Sequence, residues 1–249
     1  RALDYCPPVD ITFADYLRAL VTADFENDPV DEEHRRVAFI EAFRRRGIVP
    51  ENVQAFSVDG LLWRAATAAP DEDEHVVVGI VKEWARDIRS WGLSKDRRAL
   101  FELTRDRRAA LHAHLKPRLS KESVVLAGID PELSFEVHSL RPSIRMDWEG
   151  RPNFQWVIEL TQRIPQFIEG GAGERAGRKA DYYFRGGCTL VVDAETGEVR
   201  YSIKKKLNVE RKSRQRRFFI DEGSRSLAAT YFGAPGAEER EPFAVLHRH

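Results

Sequence analysis

The sequence predicts an α+β fold: a helical lobe over residues 1–116, then an antiparallel β-sheet domain with a closing C-terminal helix over 117–249. Three observations predict it. In the first half apolar residues recur at helical spacing, as in Phe13, Tyr16, Leu17 and Leu20. From about residue 123 the texture changes, and 134–141 and 154–162 alternate as half-buried strands do. The stretch 211–231 then returns to a basic helical pattern containing Phe218, Phe219, Ile220, Leu227, Ala228 and Tyr231. A run of helices followed by a run of strands, without βαβ alternation, is the α+β pattern.

Each element has a local reason. Thr12 with Asp15 three residues on forms a capping box ahead of the first apolar stripe, and Asn27-Asp28-Pro29 breaks that helix. Asp31 can cap a second helix carrying Val37, Phe39, Ile40 and Phe43. Its last turn, Arg44-Arg45-Arg46 before Gly47, sets cations against unsatisfied carbonyls. Pro50 and Ser57 open short helical stretches that run to about Trp63, and 65–74 is small, acidic and loop-like. The run 76–81 is apolar and of undetermined type, and 82–91 is amphipathic, stopping at Gly92. Ser94 is expected to cap a longer helix to about Leu115, with Leu100, Leu103, Arg107 and Leu111 in one stripe and Pro117 as its stop. The two alternating runs join at a turn near Glu149-Gly150. Residues 169–179 hold four glycines and read as a mobile loop. Residues 182–193 and 198–204 are strands joined through Asp193-Ala194-Glu195-Thr196-Gly197, with glycine placed for a positive φ.

Composition bounds the function classes. With 42% hydrophobic and 32% charged residues, the 249-residue chain is neither disordered nor fibrous. No apolar run approaches the ~18 residues of a membrane span, and the N-terminus lacks a signal-peptide pattern. Two cysteines, Cys6 and Cys188, fit a reducing compartment, so the expected location is the cytoplasm. Met146 is the single methionine and the chain opens at Arg1, so it is expected to be the C-terminal piece of a longer protein or a trimmed form of one. Charge is balanced at 40 basic against 40 acidic residues, yet unevenly placed. Residues 1–75 hold 16 acidic and 8 basic side chains, whereas 200–217 hold nine basic and one acidic, Glu210. These poles either attract one another across the fold or leave the basic one for an anionic partner.

Motifs that carry chemistry are few. None of His34, His75, His112, His114, His138, His247 and His249 is followed by glutamate, so no His-Glu-x-x-His exists and no metal site is expected. His112 and His114 lie two apart on a helix, pointing roughly 200° from each other. Cys188 and His138 fall on predicted strands, and a thiolate–imidazolium pair is a catalytic unit; a buried structural cysteine is the commoner outcome. The basic segment offers Lys204, Lys205, Lys206, Arg211, Lys212, Arg214, Arg216 and Arg217 as anion-binding candidates, with Phe218 and Phe219 able to stack on bases. Solvated surface charge, or pairing with the acidic half, competes with that reading.

Residues 1–20 (RALDYCPPVDITFADYLRAL) and 38–48 (AFIEAFRRRGI) resemble segments downstream of the catalytic region in bacterial thermolysin-like (gluzincin) metallopeptidases. Residues 135–142 (FEVHSLRP) and 184–193 (FRGGCTLVVD) are similar to later parts of the same family. The resemblance implies a zinc peptidase whose metal is held N-terminal to this chain. The family's zinc motif has no counterpart here, so no catalytic residue carries over. The leading expectation is therefore a non-catalytic C-terminal region that packs on or regulates a catalytic part and engages a protein partner. One alternative is a nucleic-acid or anionic-surface binding module using 204–217; another is a cysteine hydrolase using Cys188 and His138.

Overall fold

Four strands organise the fold. The computed structural model describes residues 1–51, 53–63, 84, 95–117, 129–130, 132–146, 149–168, 179–221 and 223. In it β1 is Phe135–Met146, β2 Pro152–Gln166, β3 Tyr182–Asp193 and β4 Val199–Lys205, forming one antiparallel sheet in the order β1-β2-β3-β4. Gly150 turns β1 into β2 at φ +77° and Gly197 turns β3 into β4 at φ +76°, the left-handed conformation that glycine adopts without penalty. Asp193 tightens the second turn by accepting from the Glu195 and Thr196 amides. β1 outruns the expected 134–141: it continues through Pro142, opposite Trp156, because β1 is an edge strand and its proline removes no ladder bond from the sheet interior. A bulge between Val137 and Ser139 interrupts its register.

The helices follow their caps. Helix α1, Phe13–Asn27, has the Thr12/Asp15 capping box in full and ends at Asp28. The Asp31 carboxylate accepts from the Arg35 and Arg36 amides and so starts α2, Arg35–Arg44. Ser57 caps the single turn α3, Val58–Leu61. Helix α4, Arg97–Leu115, is capped by Asp96, whose carboxylate accepts from the Arg98 and Ala99 amides; this corrects the expected Ser94 cap. Helix α5, Val209–Ile220, is capped by Asn208 and ends where Asp221 turns extended, earlier than the expected 231. The expectations for 65–74, 76–81, 82–83, 85–91, His75, 169–178, 224–231, His247 and His249 lie outside the described residues.

Packing divides the chain into two compact units, Arg1–Gln162 with Gly186–Lys206, and Arg163–Arg185 with Leu207–His249. The 116/117 boundary marks a change from helix-rich to strand-rich sequence. In the first unit, helices cover both faces of the sheet. On one face Val137, Leu140, Trp156, Ile158, Leu160, Cys188, Leu190 and Val192 bury against Leu111 and Leu115 of α4. On the other, Val191, Tyr201 and Ile203 meet Tyr5, Cys6 and Ala19. Behind α1 a third cluster joins Leu17 and Val21 to Ile40 and Leu61. Among the described residues no helix is long and apolar enough to cross a membrane.

Candidate functional site

The cysteine candidate is built by the pleat of β3. Cys188, Leu190 and Val192 alternate onto the α4 face of the sheet, while Thr189 and Val191 point the other way. Cys188 is 0% exposed, and burial pushes its thiol up to about 12. It is therefore a protonated, sealed thiol at neutral pH, the opposite of the exposed, electropositive setting that activates a nucleophilic cysteine. His138 sits at the β1 bulge with its side chain exposed, and β2 runs between its strand and that of Cys188. The structure does not bring the two together. Cys6 packs on the opposite face from Cys188, where burial pushes its thiol up to about 11. His112 rests its ring against Phe135, 4.7 Å between centroids. Among the described residues no three His, Cys, Asp or Glu side chains gather as a metal site.

Gly187 shows why this strand carries glycine. A Cβ built there would stand 2.1 Å from the Leu160 carbonyl oxygen of β2 and 3.1 Å from the Pro8 ring. Pro8 belongs to an N-terminal strap that lies on the sheet. Asp4 accepts from Arg141 and Arg145, 2.6 Å each; the Tyr5 hydroxyl accepts from Arg145; and the Thr189 hydroxyl donates to the Cys6 carbonyl at 2.7 Å. Burial works to raise the Asp4 pKa, but the two guanidinium groups outweigh it and hold the carboxyl below its ordinary value. A shallow surface pocket opens beside this strap, lined among others by Tyr5, Glu26, Arg145 and Gln155. Its charged walls are already satisfied, Glu26 by Arg200 and the Tyr201 hydroxyl, Arg145 by Asp4.

The basic segment falls into two parts. At the end of β4, Lys205 forms an ion pair with Asp15 of α1, and Arg200 reaches Glu26 at 2.9 Å. Here the acidic N-terminal half neutralises part of the basic pole. Burial raises the Asp15 pKa, but Lys205 and the Thr12 hydrogen bonds more than reverse it. Lys204 is half-buried, in register with Cys188, and Lys206 is exposed.

Arg211, Lys212, Arg214, Arg216 and Arg217 all lie on α5, in the second unit. At 100° per residue they spread around the whole helix and do not form a single stripe. Arg211 turns inward, its guanidinium 4.7 Å over the Phe184 ring and donating to the Arg185 carbonyl. Arg216 reaches the Ile168 carbonyl at 3.4 Å. Phe219 stacks on Tyr182, 4.2 Å apart and 15° from parallel, and Phe218 meets Phe219 edge-on at 5.6 Å. No residue of α5 is fully buried.

Sequence reasoning missed Arg36, a 3%-exposed cation bound to Asp24, Asp31 and the carbonyls of Asp28 and Pro29, and missed the Asp4–Arg141–Arg145 cluster. The latter joins residues more than 130 positions apart, and no local pattern announces it. Compared with protein-family models, curated proteins and solved structures, the chain matches none.

Proposed function

We propose that this chain is a non-catalytic region of a metallopeptidase-like protein, one that packs on its catalytic part and holds it or regulates it. The observation that carries this reading is the N-terminal strap. Leu3, Ile11 and Phe13 are 64%, 48% and 73% exposed, on a segment clamped to the sheet through Asp4, Tyr5 and Cys6. Large apolar side chains held out from a rigid support are what one folded part needs to dock on another. The sealed Cys188 leaves the hydrolase reading without its nucleophile. The zinc of the resembled family has no fitting ligands in this sequence, which lacks His-Glu-x-x-His, so no chemical step is assigned to this chain. Two buried thiols on opposite faces of the sheet accord with a cytoplasmic setting.

The test has two arms. The coding sequence upstream should contain an in-frame His-Glu-x-x-His, and the upstream part, expressed separately, should co-elute with this chain. Leu3→Glu combined with Phe13→Glu should abolish co-elution without lowering the melting temperature of the chain. An upstream sequence without the motif, or peptidase activity in the purified chain that Cys188→Ala removes, overturns the reading.

A further inference from the structure

We infer that helix α5 binds single-stranded nucleic acid, with Phe218 as the stacking ring and Arg214 and Arg217 as the phosphate contacts. The inference goes beyond the role proposed above and stands on a different part of the molecule.

Helix α5 carries five cations and one acid in twelve residues. Arg211 is half-buried against Phe184 and the Arg185 carbonyl, whereas Arg214, Arg216 and Arg217 are exposed, Arg216 reaching the Ile168 carbonyl. Helical geometry places Arg214 one turn from Phe218 and Arg217 three residues from Arg214, so the three side chains share one side. Phe218 is 43% exposed, although a core phenylalanine would be covered. Its position is fixed from behind: it stands edge-on to Phe219, which is stacked on Tyr182 of β3. A rigid, half-exposed aromatic ring at the edge of a pair of guanidinium groups is the combination that holds a single strand, the ring taking a base face and the cations the phosphates along one side of it. A duplex hides its base faces and leaves Phe218 without a role. An acidic protein surface rewards the cations and leaves the ring unexplained.

Fluorescence anisotropy with the whole chain decides between these. The probes are a labelled oligo-dT and oligo-U of about 15 nucleotides, a duplex of the same length, and labelled polyglutamate. Single strands should bind at micromolar concentration in low salt. The slope of log affinity against log salt between about 50 and 200 mM should be about −1.4, from roughly two neutralised phosphates. Phe218→Leu keeps an apolar side chain and removes the ring; it should weaken single-strand binding about tenfold and leave duplex and polyglutamate unchanged. Arg214→Gln with Arg217→Gln should flatten the slope by about 1.4. No single-strand binding at low salt overturns the inference. So does single-strand affinity that Phe218→Leu leaves unchanged, or polyglutamate bound as tightly as the single strand; that last result assigns the helix to an acidic protein. None of these outcomes depends on the upstream part or on co-elution with it.

Discussion

Replacing Gly187 by alanine adds one methyl group where β3 lies close against β2. That carbon would lie 2.1 Å from the Leu160 carbonyl oxygen, 3.1 Å from the Leu160 carbonyl carbon and 3.1 Å from Pro8 Cγ. The first contact is with backbone, so no side chain can swing away. Restoring ordinary contact requires β3 to retreat from β2 by about 1 Å, a large displacement against an interstrand spacing of about 4.8 Å. Overpacking of this kind costs about 1–3 kcal/mol, and stretching the ladder bond beside it forfeits about 1 kcal/mol more. A total near 3 kcal/mol lowers the melting temperature of a chain this size by roughly 6–12 °C. Gly150→Ala is the control: its site is open, with nothing within 4 Å, but its φ of +77° carries the left-handed penalty alone, worth about 1–2 kcal/mol. Thermal melts followed by far-ultraviolet circular dichroism read both. If Gly187→Ala melts no lower than Gly150→Ala, the strands are not in the close approach described and the argument fails.

Cys188→Ala should destabilise by about 1–2 kcal/mol, the loss expected for a small cavity in a core, and in native wild-type protein neither thiol should react with a disulfide reagent until denaturant is added; rapid labelling of Cys188 in the native state would contradict the sealed site. The Asp4 and Asp15 carboxyls titrate below their unfolded values, so the stability they contribute is present above the unfolded pKa of about 4 and is lost as pH falls through the folded values. Asp4→Asn and Asp15→Asn should therefore each be less stable than wild type at neutral pH, with the gap closing in acid; urea melts across that range that keep the gap constant would refute the linkage.

What the sequence by itself determined is local. The capping box at Thr12 and Asp15, the stop at Asp28, the hairpin between Asp193 and Gly197 and the span of β3 each depend on residues within a few positions of one another. Such signals lie within a few residues of one another, so their spacing is legible in the sequence. The α+β class followed from the same short-range periodicities. Only the tertiary structure decided the rest. Pro142 extends β1 because that strand stands at the edge of the sheet. Arg36 is buried because Asp24 and Asp31 converge on it. Lys205 is drawn to Asp15, while the cations of α5 stay in a different unit. Cys188 and His138 were equal strand residues in the sequence, and the face each one met separated a sealed thiol from an exposed imidazole. Alternation shows that successive residues face opposite sides of a strand; which side is covered depends on the layer that folds over it, and for Cys188 that layer is Leu111 and Leu115 of α4, more than seventy positions away.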